Sequence, residues 1–199
     1  MNHPAIALLM YFILYFSLAF IWRSVAVYRA TGIQPIRLPN SDDAPGYVGR
    51  MFKILLALCL LHLLLQTMGA KANAWWPSID LLVQAWLHAL GWIVLALSTL
   101  MLLLAQVQMG HSWRIGLDAD APGPLVTQGL FSRSRNPIFL SMRMSLLGQL
   151  AVLPNMMTLM LLVCGELLIQ IQVRLEEGHL QHIYGDAYAS YRAHVPRWW

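Results

Sequence analysis

Two stretches without a single formal charge, Ala5 to Trp22 and Leu81 to Gly110, constrain this chain more than any other feature. A bilayer crossing takes about 20 consecutive apolar residues. A soluble globular domain carries about a quarter of its residues as charges, but here only 11% are charged and 58% are hydrophobic. Both numbers point to an all-α polytopic membrane protein. At 199 residues the chain is one membrane domain, residues 1–199, with no room for a separate soluble catalytic domain. Any chemistry must therefore sit on helix ends, short loops and the C-terminal tail.

Five membrane helices are expected. The first runs from about Ala5 to Tyr28, the second from about Val48 to Met68, and the third from about Ile79 to Met109. The fourth opens at Asn136-Pro137, an N-cap residue followed by proline at the first helical position, and ends before Pro154-Asn155. The fifth runs from about Met156 to His182, roughly 40 Å at ~1.5 Å per residue, so its last turns should leave the bilayer. Gly185-Asp186 breaks it, and a short amphipathic tail follows. The first apolar stretch lacks a basic flank and a small-residue cleavage site, which argues for a retained helix rather than a signal peptide.

Basic residues set the expected orientation. The connection between helices one and two, with its flanking helix ends, carries Arg23, Arg29, Arg37, Arg50 and Lys53. The connection between three and four carries Arg114, Arg133 and Arg135, and the C-terminal portion carries Arg174, Arg192 and Arg197. The other side has Lys71 alone. The expectation is an N-terminus outside and a C-terminus in the cytosol, in a bacterial plasma membrane. The net charge of +4 follows from topology; no basic cluster with interleaved aromatics suggests nucleic acid. Cys59 and Cys164 fall inside apolar helices and read as packing residues. Trp75-Trp76 and Trp198-Trp199 read as interfacial anchors, and His62, Gln84 and His88 as helix–helix hydrogen-bond partners.

Arg143 and Glu166 are the formal charges that fall well inside a predicted span. Arg143 lies 11 residues before Pro154 and Glu166 lies 11 residues after Asn155. In an antiparallel hairpin both sit roughly 17 Å from the turn at ~1.5 Å per residue. An unpaired charge at that depth costs several kcal/mol, so the two are expected to pair, either fixing hairpin register or lining a polar cavity. Further along helix five, Glu166, Gln170, Arg174, Glu177 and Gln181 share one face, and Gln172, Glu176 and His179 share a roughly opposite one.

The loop between helices three and four reads Gly110-His-Ser-Trp-Arg114, then Gly123-Pro-Leu-Val-Thr-Gln-Gly-Leu-Phe131, then Ser134-Arg-Asn-Pro-Ile-Phe139. After helix five come Arg174-Leu-Glu-Glu177, Tyr184-Gly-Asp-Ala-Tyr188-Ala-Ser-Tyr191 and Val195-Pro196. In order and spacing these segments, over about residues 105–197, resemble the isoprenylcysteine carboxyl methyltransferase family and its phospholipid methyltransferase relatives. The resemblance implies an integral membrane enzyme that takes S-adenosylmethionine (AdoMet) and methylates a lipophilic substrate entering from the bilayer, most simply at a carboxylate. It divides the chain into transmembrane helices over 1–104 and a cofactor-binding, catalytic half over 105–199. Phospholipid N-methylation, an NADPH-dependent sterol-reductase-like activity and a non-catalytic membrane role are the alternatives. A soluble Rossmann methyltransferase is excluded, since the chain has no glycine-rich strand–helix turn.

Carried over position by position, the implied cofactor contacts are Gly123, Pro124, Leu125, Val126, Phe131, Asn136, Pro137, Ile138, Phe139 and Glu176. Their chemistry suits the role. The free N–H groups at a helix start accept a carboxylate, Glu176 can take ribose hydroxyls or an amino group, and Leu125, Val126 and Phe131 can hold an adenine. Asn136 stands where the family usually has histidine, and Phe139 where it usually has tyrosine. The family's substrate-facing arginine position falls on Gln172, so Arg174 or Arg143 is expected to orient the acceptor instead. No metal is expected. The expected partners are a lipophilic or lipidated substrate and membrane lipids.

Overall fold

The computed structural model describes residues 3–32, 42–68, 76–110 and 123–199. The first membrane segment begins as α1 (His3–Phe16), passes through a π-helical turn (Ser17–Trp22) and continues as α2 (Arg23–Thr31), which stops at Gly32 with φ 69°. Glycine tolerates that left-handed conformation without a Cβ penalty. Then follow α3 (Ala44–Thr67), α4 (Ala85–Met109), α5 (Pro137–Val152), α6 (Met156–Tyr184) and α7 (Asp186–His194), with short 3-10 turns at Asp80–Leu82 and Gly129–Ser132. The arrangement is an all-α polytopic membrane protein. Four segments, Pro4–Ala30, α3, α4 and α6, are long and apolar enough to cross a bilayer. The expected fourth crossing, α5, is apolar but has only 16 residues. That is about 24 Å of helix against a hydrocarbon core of about 30 Å.

Helix boundaries follow local chemistry. The Asp43 carboxylate accepts from Gly46 N at 2.8 Å and starts α3 a turn earlier than hydropathy suggests. Asn155 caps α6 in a reciprocal capping box with Thr158, which stabilises the start of a helix from both sides. The third crossing does not begin at Ile79, because residues 77–79 are held by the α5–α6 turn: Ile79 N donates to Pro154 O at 3.0 Å and Met156 N to Pro77 O at 3.1 Å. Asn136 holds the N-cap position of α5, yet its side chain makes no capping hydrogen bond.

Helices α4 and α5 pack most intimately, through glycines. A Cβ on Gly148 would come within 2.8 Å of Leu95 and 3.1 Å of Gly91 O, and one on Gly91 within 2.8 Å of Val152. Small residues let helix backbones approach in this way where lipid supplies no hydrophobic drive. Ser98 Oγ adds a hydrogen bond to Ser141 O at 2.9 Å. The main core cluster joins α1, α3, α4, α5 and α6 through Leu8, Phe12, Cys59, Leu63, Leu95, Val152, Met157 and Leu161.

Polar side chains in the helices behave largely as expected. His62 contacts Asn155 Nδ2 at 3.4 Å, and His88 Nδ1 contacts Val152 O at 3.2 Å. Gln84 differs: it is the exposed N-cap of α4, with no side-chain cap bond. Cys59 is buried and donates to Gln149 Oε1 at 3.3 Å, while Cys164 is exposed; both are free thiols. Trp76 packs against the core and edge-on to His62 instead of acting as an isolated anchor. Trp75 and the 111–114 part of the loop motif lie outside the described residues.

Candidate active site

The junction between loop, helix and tail is organised by one carboxylate. Glu177 on α6 is only 5% exposed. Arg135 Nε and Nη2 donate to it at 3.1–3.2 Å, Arg197 Nε and Nη2 at 3.1 and 2.9 Å, and Asn136 Nδ2 at 2.9 Å. A buried charge is tolerable only when paired and hydrogen-bonded, and here two guanidiniums and an amide do both. Arg135 also donates through Nη1 to the carbonyls of Arg192 and Val195, and its backbone N–H to Pro196 O at 3.0 Å. The Asn136 amide is thereby committed to Glu177, and the Val195-Pro196 segment to Arg135.

The tail holds the loop from its other side. Tyr184 OH donates to Gly123 O, and Tyr191 OH to Phe131 O at 2.6 Å. Gly185 turns the chain between α6 and α7 at φ 52°, so that α7 folds back and places Tyr188 fully inside. Burial, followed for Tyr188 by the Glu177 carboxylate, pushes the phenols of Tyr188 and Tyr191 up to about 12. Both stay protonated at any ordinary pH. The same carboxylate raises Arg197 above its usual value through the hydrogen bonds it accepts.

Beneath this clasp lies a cavity of about 490 Å³, a size ordinary for a small-molecule site. All ten residues expected at the cofactor line it: Gly123, Pro124, Leu125 and Val126 from the loop, Phe131, then Asn136, Pro137, Ile138 and Phe139 at the start of α5, and Glu176 on α6. No side chain caps α5, so the unsatisfied N–H groups of its first turn open beside the cavity. From α6, the face of Gln172, Glu176 and His179 lines it. Glu176 makes no ion pair or hydrogen bond among the described residues, and His179 Nε2 is buried without a partner there. The cavity continues away from the tail between α1, α3, α5 and α6, where Phe12, Phe16, Leu55, Leu146 and Leu161 make its wall apolar.

The two arginines expected to orient an acceptor are outside this lining. Arg143 and Glu166 pair as their equal depth requires, Nε to Oε2 at 2.7 Å. Trp198 covers the Arg143 guanidinium at 4.3 Å from its ring centroid. Gln170 Nε2 donates to Glu166 Oε1 at 2.7 Å, and exposed Arg174 donates to Gln170 O and Oε1 at 2.7 and 2.8 Å. The pair and its stripe thus tie α5, α6 and the C-terminal tail together on a face away from the cavity. The lining also includes residues that sequence reasoning passed over: Lys53, Arg135 and Gln106. Arg135 carried a signal, since it precedes the Asn-Pro start of α5; Lys53 and Gln106 come from helices without a motif.

A family model described as phospholipid methyltransferase matches residues 86–187, half of the chain. The chain belongs to the phospholipid methyltransferase family. The match runs from the first turn of α4 to that of α7, so it encloses the loop, the clasped carboxylate Glu177 and the α6 face of the cavity. The first three helical segments, which supply the apolar wall with Phe12, Phe16 and Leu55, precede it. No curated protein matches the chain. As a member of this family the protein is a membrane methyltransferase.

Proposed function

We propose that the protein transfers a methyl group from AdoMet to a lipophilic acceptor that reaches the cavity from the bilayer, and that the acceptor group is a carboxylate. One observation carries this reading: the ten expected cofactor residues line one end of a cavity that continues, with an apolar wall, between the membrane helices. The residues suit AdoMet. The uncapped start of α5 favours an anionic group, Glu176 and His179 offer unpartnered polar atoms, and Leu125, Val126 and Phe131 offer an apolar platform. When bound, AdoMet supplies an electrophilic methyl on a sulfonium.

The chain's own contribution is to position and to exclude water. In-line displacement needs the two reactants held together more than it needs acid–base help. The Tyr184 and Tyr191 hydrogen bonds hold the loop over the cavity, and the Glu177 cluster fixes the loop relative to α5 and α6. Lys53, which lines the cavity from α3, takes over the acceptor-orienting role for which Arg143 and Arg174 are poorly placed. An amine acceptor is the second reading, favoured by the unpartnered Glu176 and His179, which suit a hydrogen-bond donor better than an anion. We further infer that the tail side faces the cytosol of a bacterial plasma membrane, from the bias of basic residues.

Incubating membranes that contain the protein with methyl-labelled AdoMet tests both readings. A lipid-extractable product that releases labelled methanol in alkali supports the carboxylate; an alkali-stable product supports the amine. No label in lipid or lipidated material, with AdoMet unbound, overturns the assignment.

A further inference from the structure

The π-helical turn Ser17–Trp22 interrupts the first membrane segment beside the cavity, and Ala19, Phe20 and Gln106 all line it there. A π turn shifts the hydrogen-bond register and frees a carbonyl from its regular partner, and such turns occur disproportionately at functional sites. Here the Gln106 side chain reaches across from α4, and its Nε2 donates to Ala19 O at 2.8 Å. That bond fixes which way the amide points. Its Oε1 is left buried without a hydrogen-bond partner among the described residues, on a side chain only 2% exposed. A buried, orphaned carbonyl oxygen has given up water without gaining a partner, so it calls for a donor from whatever fills the cavity.

The neighbours say which donor. Gln106 is one helical turn beyond Leu102, and Tyr15, Ala19 and Leu102 form a buried cluster against which Ile138 packs. Ile138 belongs to the uncapped first turn of α5. An oxygen that accepts only belongs to a side chain bonded to Ala19, and backbone N–H groups that donate only belong to the turn whose Ile138 packs on the Ala19–Leu102 cluster; both residues line one cavity. A ligand group matching the pair carries both an anion and a cationic donor, as an α-amino acid does. Resting on the AdoMet reading above, we propose that Gln106 Oε1 accepts a hydrogen bond from the α-ammonium of the cofactor's amino-acid end while the start of α5 takes its α-carboxylate. Gln106 is then the residue that makes the site selective for an intact amino acid, and the π turn is the device that aims it.

The test is calorimetric binding to purified protein of S-adenosylhomocysteine and of its analogue lacking the α-amino group. The wild-type protein should bind the parent about tenfold or more tightly than the analogue, the scale of one hydrogen bond to a charged group. In Gln106→Leu the two should bind alike, with the analogue's affinity within about threefold of its wild-type value. Gln106→Glu gives up the bond to Ala19 O but keeps an acceptor oxygen and adds the opposite charge to an ammonium, so its preference for the parent should equal or exceed the wild type's; this arm decides the matter if Gln106→Leu fails to fold. A preference unchanged in Gln106→Leu, or lost in Gln106→Glu, overturns the role of Gln106 and leaves the methyltransferase reading standing. Wild-type protein that binds neither ligand overturns both.

Discussion

Glu177 shows how a single side chain can hold three separate parts of a chain. Its carboxylate is shared by Arg135 from the loop, Asn136 from the start of α5 and Arg197 from the tail. Glu177→Ala should cost about 3–5 kcal/mol, because two arginines lose their counter-charge, one of them almost fully buried. A fall in the melting temperature of detergent-purified protein, together with lost binding of S-adenosylhomocysteine, checks it. Tyr188 and Tyr191 set a different limit. Their phenols ordinarily ionise near 10 but are raised to about 12 when folded, so the folded state binds more protons between those values. Their contribution is complete below pH 10 and is lost as the pH climbs through 12. Brief subtilisin digestion across that range should begin to cut in α7 only at its alkaline end. Both residues stood out in the sequence as members of the Tyr-Gly-x-x-Tyr-x-x-Tyr segment, but nothing there told that Tyr191 holds the loop while Tyr188 only fills space beneath it. The pairing of Arg143 with Glu166 was legible, because 11 residues on either side of a tight turn leave no other depth at which they can meet; that the pair stays out of the cavity lining was not.

Among the elements, the α4–α5 pair is the closely packed unit that carries the start of α5. Gly91 and Gly148 bring the two backbones together, and a leucine at 148 would have to displace Leu95 and the Gly91 carbonyl. Gly148→Leu should destabilise by about 1–3 kcal/mol and weaken cofactor binding by shifting the start of α5. Thermal unfolding and calorimetry read the two effects. The sequence places helix existence correctly and some helix starts badly. The third crossing begins at Ala85 instead of Ile79, because Ile79 spends its N–H on Pro154 in the distant α5–α6 turn, a tertiary contact that no local pattern encodes. The second starts earlier because Asp43, a short polar cap, outweighs hydropathy. The π turn in the first segment was invisible, since its apolar residues look like any other membrane helix.

At the scale of the whole molecule, the half without a motif completes the site. Helices α1 and α3 precede the family match, yet with α5 and α6 they wall the apolar end of the cavity. Leu161→Trp should narrow that end while leaving the loop and α5 start alone. The expected outcome is a KM for the lipophilic acceptor raised about tenfold, with the affinity for S-adenosylhomocysteine changed less than about twofold; equal losses in both would show that the two ends are not separable. The ten residues that the resemblance assigns to a cofactor were readable as a group because their segments keep a set order and spacing, and they line one cavity. The apolar end was not, because an apolar cavity wall and a lipid-facing helix use the same residue types.

The 16-residue α5 also makes the protein a gauge of the membrane around it. With helices of 24 to 29 residues beside it, α5 falls about 6 Å short of a typical hydrocarbon core, a mismatch that a bilayer meets by thinning locally or letting water in. Its open N-terminus therefore sits where lipid thickness decides how dry the cavity is. Reconstituted into bilayers of increasing acyl-chain length, the protein should turn over fastest at the thickness that just brings that helix end to the boundary, and more slowly in thicker membranes that strand it in hydrocarbon.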